Sequence, residues 1–460
     1  MEIDPDKLHI CIETLQIISN DVASIRDNKR LKTLIAKIHA KGRRDACALV
    51  REQRQLEKRS FQQKAQIVAS RNESSQLLES EACSDRFAAM KFSNTCYICK
   101  RKYTRQHFFY HMLCPECACL NYAKRGQRTD LRGKVALVTG GRVKIGYCTA
   151  LRLLRDGAKV LVTTRFPVDA ALRFRREPDF EEWSQRLQIF GLDFRDFESV
   201  RLFIQDLLAS IEWLDILINN AAQTIKHKPA YYQYSMLREH ELRKNLQPET
   251  RNLLCRDYSQ APILNIQGEA DGEIVKSRRI LSSILEIDSD GLFIDGSPEN
   301  SWTLKLDEID AIEMLEVLLV NVATPFMINS KMKAKLLKSQ CDRRFIINVS
   351  AMEGQFSREH KTSKHPHTNM AKAGLNMMTR TSASDYAQDG IYMNSVDTGW
   401  VTDENPLHKK SHLQTKRGFY PPLDVFDAVA RIYDPIVKGL LLEEQPVFGK
   451  FLKDFYPCEW

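Results

Sequence analysis

The chain has no long hydrophobic run. Its longest, Met314 to Ile328, is too short to span a membrane and is interrupted by Glu316 and Asn321, which excludes a protein built on membrane helices. The first residues, MEIDPD, are acidic and lack the apolar stretch of a secretory signal. Residues 6–90 contain one glycine and no proline, so helix is expected there with few interruptions. Most of the 12 cysteines are scattered and do not form a disulfide framework. A leaderless chain of this kind is expected in a reducing compartment, the cytoplasm, with the nucleus as the alternative.

What is present is a globular composition. Of the 460 residues, 43% are hydrophobic and 28% charged, enough for a substantial core and more than one domain. The net charge of +9 is unevenly placed. Between Arg26 and Arg71 there are 14 basic and 4 acidic residues, an excess of ten, so the remainder is close to neutral. In the same region Leu8, Ile12, Leu15 and Ile18 recur at helical spacing, as do Leu31, Leu34, Ile35 and Ile38. Lys41-Gly42-Arg43-Arg44 is a candidate break between helices, and the polar stretch Arg51 to Gln76 reads as an exposed helix or coiled-coil arm. Such an arm is either a solvated helix face or a surface for an acidic partner, a protein, RNA or a membrane surface. The segment Asn72 to Ser84 reads as a linker.

Four cysteines stand apart from the rest. Cys96 and Cys99 form one CxxC pair, and Cys114 and Cys117 form a second after a spacer of 14 residues. Each pair places two thiolates within reach of one ion, and four complete a closed tetrahedral shell, which points to structural zinc. The nearby Cys119, His107 and His111 are expected on the surface of this small ribbon, although each is a possible substitute ligand. Phe108, Phe109 and Tyr110 would fill its core. The bases and aromatics of the spacer leave a nucleic-acid surface open as a second reading.

The stretch from Leu131 to Arg165, LRGKVALVTGGRVKIGYCTALRLLRDGAKVLVTTR, carries the fold signal. A short apolar strand ends in Thr139-Gly140-Gly141, a helix with Ala150, Leu153 and Leu154 on one face follows, and a second strand runs from Lys159 to Thr163. A strand, a glycine turn, a helix and a strand make the front end of a dinucleotide-binding fold. Glycine lets backbone N–H groups approach a diphosphate, and the helix N-terminus adds favourable partial charge. Further strands are expected at Leu187 to Asp193, Leu214 to Ile218 and Phe345 to Val349. Characteristic segments follow them: DFRD at Asp193 to Asp196, NNAA at Asn219 to Ala222, the helix asparagine of LLVNVATPF, NVSAMEG, NMAK and NSVDTGWV.

This ordered set resembles the short-chain dehydrogenase/reductase family, from about residue 130 to residue 460 with one insertion. The resemblance implies a Rossmann-like domain that moves hydride between a nicotinamide cofactor and a carbonyl or alcohol. It also implies site residues. Gly140 and Gly146 match the outer glycines of the turn, flanked by Thr139 and Ile145, and Lys144 stands where the family has the middle glycine. A lysine there forbids the closest backbone approach if the position needs a positive φ, while its ammonium could lie near the diphosphate or point to solvent. Asp193 would meet the adenine amine, and Asn219 and Ala221 would line the cofactor trench. The second strand ends in Thr163-Thr164-Arg165 with no acid, which favours NADP over NAD, with Arg165 on the 2′-phosphate. Thr402 is a candidate for the nicotinamide carboxamide, one residue early against the family spacing.

Family chemistry uses Asn, Ser, Tyr and Lys. Lys372 and Asn321 match, but Thr368 occupies the tyrosine position and Ala351 the serine position, with Ser350 directed to the opposite strand face. An aliphatic hydroxyl is a far weaker proton donor than a phenol, and losing a positioned acid costs about 10²–10⁴ in rate. His365 and His367 are either substitutes or surface loop residues.

About a hundred residues separate Asn220 from Asn321, so an insertion is placed at about 225–302. It includes YYQY at Tyr231 to Tyr234 and acidic stretches at Gly268 to Glu273 and Glu286 to Asp290, and it is expected on the substrate side as a cap or as a disordered excursion. The whole reads as a doubly wound parallel α/β sheet (130–460) preceded by a helical basic region (1–90) and a four-cysteine module (91–125). The expected function is an atypical NADP-dependent oxidoreductase with an unassigned small-molecule substrate. The alternative is a non-catalytic NADP(H)-binding sensor or scaffold whose zinc module and arm bind a protein or RNA. The resemblance also implies a homo-oligomer.

Overall fold

A computed structural model of the chain describes residues 4–69, 86–227, 229–258, 294, 296–358 and 361–460. The linker expected at Asn72 to Ser84 and the acidic stretches Gly268 to Glu273 and Glu286 to Asp290 lie outside the described residues. The chain divides into two compact units, Met1–Lys64 and Ala65–Trp460.

The first unit is helical. Asp4 caps the helix Pro5–Asn20 by accepting from the Asp6 amide, with Pro5 in the first turn where its missing N–H costs nothing. Asn28 caps a second helix, Lys29–Gln63, in the same way through Leu31. This helix is continuous for 35 residues, so the break expected at Lys41 to Arg44 does not occur. One glycine inside a helix costs about 1 kcal/mol relative to alanine, too little to interrupt a run rich in Lys, Arg, Leu and Ala. Neither helix has a buried residue, and Leu8, Ile12, Leu15, Leu34 and Ile38 are exposed.

The second unit starts earlier than the expected boundary at residue 90. Ala65, Ile67 and Val68 are buried, and the amides of Gln66 and Ile67 donate to the carbonyls of Phe108 and Phe109. These residues belong to the cysteine module, which also extends back beyond residue 91. Its strand β1 (Phe87–Thr95) pairs antiparallel with β2 (Lys102–His107), and the helix Pro115–Arg125 follows. Phe109 and Tyr110 fill the core between them.

The remainder is a nine-stranded sheet. Its strands are β3 (Val135–Thr139), β4 (Lys159–Thr164), β5 (Leu187–Gly191), β6 (Ile216–Asn219), β7 (Leu254–Asp257), β8 (Arg344–Ser350), β9 (Ile391–Asp397), β10 (Phe451–Lys453) and β11 (Tyr456–Cys458). The spatial order is β11-β10-β9-β8-β6-β3-β4-β5-β7, and every pair is parallel except β10 with β11. All five residues of β3 are buried, as a parallel strand covered on both faces requires. One apolar layer, with Leu153, Phe174, Trp183 and Tyr433, covers one face; a second, with Phe203, Leu207, Ile328 and Met332, covers the other. The strand order reverses between β3 and β6, and ligands of such sheets bind at the carboxyl ends beside that reversal.

Part of the insertion is regular. The helix Pro229–Lys244 is followed by a helical turn, Pro248–Arg251, and β7, which extends the sheet beyond β5. The outgoing arm therefore lies at the β4–β5 end and not on the expected substrate side. Among the described residues the returning arm reaches that side: Trp302 stacks on His365, and Asn300 donates to the Glu404 carbonyl. One helical run, Ala311–Leu336, is 26 residues long and by length and composition alone could cross a membrane, longer than the apolar stretch read from the sequence. Here its Val317, Val320, Ile328, Met332 and Leu336 are buried, the last four in the apolar layer under the sheet.

The cysteine module is bolted to the helix Val425–Leu441 by buried charge. Arg125 meets Asp424 at 2.6 Å and Asp427 at 3.1 Å, the Tyr110 hydroxyl donates to Asp427, and Arg431 links Asn121 to Asp454. Removing Arg125 would strand the buried Asp427 carboxylate and unpair the half-buried Asp424. Arg125→Ala is expected to destabilise this unit by about 3–5 kcal/mol, read as a lower midpoint of thermal unfolding; an unchanged midpoint would contradict the assignment.

Candidate functional site

The site is built on the turn after β3. The amides of Gly140 and Gly141 both donate to the Thr163 carbonyl, which ties the turn to β4. Asn220 ties it to β6, donating from its side chain to the carbonyls of Thr139 (3.0 Å) and Gly140 (3.1 Å). Gly140 has φ +70, and a Cβ on it would lie 2.8 Å from Cα of Ala221. A Cβ on Gly146 would lie 2.2 Å from the Gly140 oxygen, so only glycine allows the helix Lys144–Arg155 to start this close to the turn. Lys144 has φ 53, the left-handed region in which a non-glycine residue is strained. The backbone thus keeps the shape that the family's middle glycine would give it.

Several expected trench residues are placed differently. The Thr139 side chain is fully buried and accepts from the amides of Asn220 and Ala221. It locks the turn and does not face the trench. Asn219 turns away from the trench into the layer below the sheet, donating to Asn329 and Asn348, because it is the last residue of β6 and successive strand side chains alternate faces. Asn220, which the sequence reading passed over, faces the turn; the doubled Asn-Asn was its signal. Ile145 is half-buried and packs against the core. Ala221 remains beside Gly140. The Thr402 hydroxyl donates to Glu404 at 2.6 Å and so is engaged away from a carboxamide.

At the β4–β5 end, Arg165 and Asp193 come together. Burial pushes the Asp193 carboxyl up, but the hydrogen bond from Arg195 and the charge of Arg165 outweigh it and hold the group below its ordinary range. Among the described residues Arg165 makes no ion pair with a carboxylate; it lies over the rings of Phe166 and Tyr232.

The carboxyl ends of β8 and β9 carry the chemistry. Lys372, on the helix Pro366–Gln388, is buried and donates to the Val349 carbonyl at 2.9 Å. Burial lowers its ammonium to about 8, with Glu353 acting in the opposite sense. Thr368, one helical turn earlier, is 4% exposed, and its hydroxyl has no hydrogen-bond partner among the described residues. Asn321 sits in a π-helical turn, Leu319–Ala323, and clasps the backbone of Gln223, accepting from its N–H at 2.8 Å and donating to its carbonyl at 2.9 Å. Such turns cluster at functional sites. Ser350 donates to Asn376 on the helix side, away from the position of Ala351.

Both nearby histidines are buried, which removes the surface-loop reading. His365 is stacked on Trp302 at 3.9 Å with Nδ1 3.0 Å from the Trp302 carbonyl, and burial lowers its basicity. His367 is 1% exposed, with Nε2 3.6 Å from Glu313. Gln355, also buried, has no hydrogen-bond partner for either end of its amide among the described residues. Asp397, at the end of β9, accepts from the Met352 amide and is raised to about 6 by burial and Asp454.

The four cysteine sulfurs at 96, 99, 114 and 117 lie within 4.8 Å of one another, and Cys99 Sγ is 3.6 Å from Cys114 Sγ. A tetrahedron of thiolates about 2.3 Å from an ion has edges of about 3.8 Å. Burial pushes the Cys99 thiol up, and hydrogen bonds from Arg101 more than reverse this, to about 6. His107 and His111 are buried and not on the ribbon surface: His107 accepts from the Phe109 amide, and His111 lies against the Tyr420 carbonyl. The cysteine knuckle reaches the oxidoreductase-like domain directly, where the Trp400 amide donates to the Tyr97 hydroxyl at 3.1 Å.

Gly146→Ala is expected to destabilise the second unit by about 1–3 kcal/mol or more, as overpacking does. Thermal unfolding measures it, and a wild-type midpoint would contradict the close approach.

Comparison with known proteins fits this geometry. The family model described as short chain dehydrogenase matches residues 134–244, and that described as Enoyl-(Acyl carrier protein) reductase matches residues 300–415. The gap between them falls on the insertion. An uncharacterized protein of Acanthamoeba polyphaga mimivirus is 33% identical over 354 residues, 74% of this chain and 71% of that protein. Mouse retinol dehydrogenase 11 is 40% identical over 92 residues, 20% of this chain and 29% of its own length. An uncharacterized oxidoreductase of Schizosaccharomyces pombe is 42% identical over 92 residues, 20% of this chain and 27% of its own length. Among solved structures, a short chain dehydrogenase from Burkholderia cenocepacia in complex with NADP aligns with TM-score 0.45 and 19% identity, covering 70% of this chain and 97% of that one. With the glycine turn, the buried lysine and the sheet order in place, the chain belongs to the short-chain dehydrogenase/reductase family of oxidoreductases.

Proposed function

We propose that the protein binds NADP(H) along the carboxyl edge of the sheet and reduces or oxidises a small carbonyl or alcohol. The observation that carries this reading is the pairing of the glycine turn with a buried Lys372 beside unpaired buried polar atoms on Thr368 and Gln355. Buried polar groups without partners are rare in native proteins and mark places where a ligand or water completes the set. The residues present fit a nicotinamide dinucleotide. The turn at Gly140 to Gly146 would hold the diphosphate, Arg165 the 2′-phosphate, Asp193 the adenine and Lys372 the nicotinamide ribose.

The cofactor supplies the hydride when bound, and the chain must supply the proton. Thr368 is the residue in the tyrosine position, and as an alcohol it is a weak donor. His367 is a second candidate, since its ring is buried with Nε2 3.6 Å from the Glu313 carboxylate, one residue before Thr368. Asn321 fixes the loop after β6 through Gln223, which keeps that wall of the cleft in place. The loss of Tyr and Ser supports a second reading, a cofactor-binding sensor or scaffold that does not turn over.

Zinc is proposed at the four cysteines as a structural ion, since four sulfurs leave no open position. The first unit buries nothing in its two helices, so it has no core of its own, and its basic face is assigned to an acidic protein or RNA partner. Ile312, Leu315 and Phe326, exposed on the run Ala311–Leu336, support self-association of the chain.

Fluorescence titration of the full chain with NADPH tests the reading, and absence of binding at high cofactor concentration would remove it. Lys372→Met is expected to weaken NADPH binding about tenfold to hundredfold, the worth of a hydrogen bond to a charged group. The sign of the pH effect follows from the lowered ammonium. Lys372 is a charged donor below about 8 and neutral above it, so wild-type affinity falls as pH rises through that value, and the Met variant loses this dependence. Turnover over a carbonyl panel separates enzyme from sensor. Metal analysis is expected to give about one zinc per chain, and zinc-free protein would contradict the module assignment.

A further inference from the structure

The insertion contributes to the adenosine corner, a role the family's motifs do not describe. Three arginines from three elements meet there, interleaved with two aromatic rings. Arg142, in the glycine turn, lies 4.8 Å from the centroid of Phe166; Arg165, at the end of β4, lies 5.7 Å from the same ring. Arg165 also lies 5.4 Å from the ring of Tyr232, and Arg195, beyond β5, lies 4.8 Å from it. Tyr232 is carried in by the insertion helix Pro229–Lys244. That helix is anchored by Glu239, whose carboxylate accepts from the amides of Val168 and Asp169 at the start of the helix Pro167–Arg175. The Tyr232 hydroxyl accepts from the His227 amide at 3.3 Å, which fixes the other end of the ring.

The charges do not balance. Arg142 is paired with Asp169, which Arg173 also engages, and Arg195 is paired with Asp193 at 2.6 Å. Arg165 has no carboxylate of its own among the described residues. Tyr232 therefore sits between one neutralised and one unneutralised guanidinium. An aromatic face attracts a cation, so the ring helps to hold each guanidinium in place. The fork of Arg165 and the Nη1 of Arg195, which lies outside its bonds to Asp193, are donors near the carboxyl ends of β4 and β5 that suit a dianionic phosphomonoester on a ribose.

Resting on the NADP(H) reading above, we propose that Tyr232 and Arg195 are cofactor-selectivity residues: the Tyr232 ring positions Arg165 and Arg195 as a paired clamp on the ribose 2′-phosphate. The insertion is then part of the cofactor site, and its first helix reads which of the two nicotinamide dinucleotides is bound.

The test is a set of dissociation constants for NADPH, NADH and adenosine 2′,5′-bisphosphate, measured on the full chain by calorimetry. Tyr232→Ala is expected to weaken NADPH and the bisphosphate about tenfold while leaving NADH within about twofold. Tyr232→Phe, which keeps the ring, is expected to bind like the wild type. Arg195→Gln, which leaves every residue of the insertion unchanged, is expected to lower the ratio of NADPH to NADH affinity in the same direction, which guards against a misfolded alanine variant. Equal weakening for NADH would reduce the ring to a plain wall and overturn the proposal. Tighter NADPH binding in Tyr232→Ala would make the ring a plug and also overturn it. A wild-type protein that binds neither dinucleotide refutes the oxidoreductase reading together with this one. Wild-type NADPH binding that is indifferent to Tyr232 and Arg195 refutes this one alone.

Discussion

The structure turns on one contact with no room for a methyl group. Gly146 brings the start of the helix Lys144–Arg155 against the Gly140 carbonyl, while Asn220 bonds the same carbonyl from the neighbouring strand. Three elements are thereby fixed at the carboxyl edge of β3. The N-terminus of that helix is held at the edge, and the ends of β4, β6 and β8 are held in step by the parallel ladders around it. The strain of a left-handed Lys144 is tolerated because this packing over-determines the turn.

Beneath that edge the protein spends polar groups freely, and all of them serve geometry. Asn219, Asn329, Asn348, Thr379 and Ser395 form a buried hydrogen-bonded network that ties β6, β8 and β9 to the two helices below. Lys372 emerges from the end of this layer. Two additions to the fold then brace the rim. The returning arm of the insertion stacks Trp302 on His365, at the entry to the Lys372 helix. The cysteine module reaches Trp400, on the loop after β9, through Tyr97. A metal at the four cysteines would hold the Cys96–Cys99 knuckle, and through Tyr97 it would steady a loop next to the cleft. The module is thus coupled to the site by structure as well as by sequence order.

Much of this was readable from the chain because the signals are local. Val135 to Val138 is wholly apolar, as a strand covered on both faces must be, and the glycine spacing after it points to one turn geometry. The two CxxC pairs needed only a turn to bring them together. What was not readable depends on distant partners. Gly42 suggests a helix break, yet its cost is small beside that of unwinding 35 residues. The outgoing arm escaped notice because Pro229–Lys244 has no clear apolar stripe and β7, Leu-Cys-Arg-Asp, has no alternation. His107, His111, His365 and His367 are polar in sequence and buried in the fold, since each finds its surroundings on a remote segment. Asn219 and Asn220 are adjacent, and only the end of the strand decides which one faces the turn. Tyr232 and Arg195 join Arg165 only through the insertion's path back to the sheet.

The central claim is that the carboxyl edge of this sheet clasps two linked nucleotides in spite of Lys144. A crystal structure of the protein grown with NADPH tests it most directly. The account predicts diphosphate density over the amides at Lys144 to Gly146, ribose against the Lys372 ammonium and the 2′-phosphate at Arg165. It is contradicted if the Lys144 side chain fills that crevice and the dinucleotide is excluded or bound elsewhere.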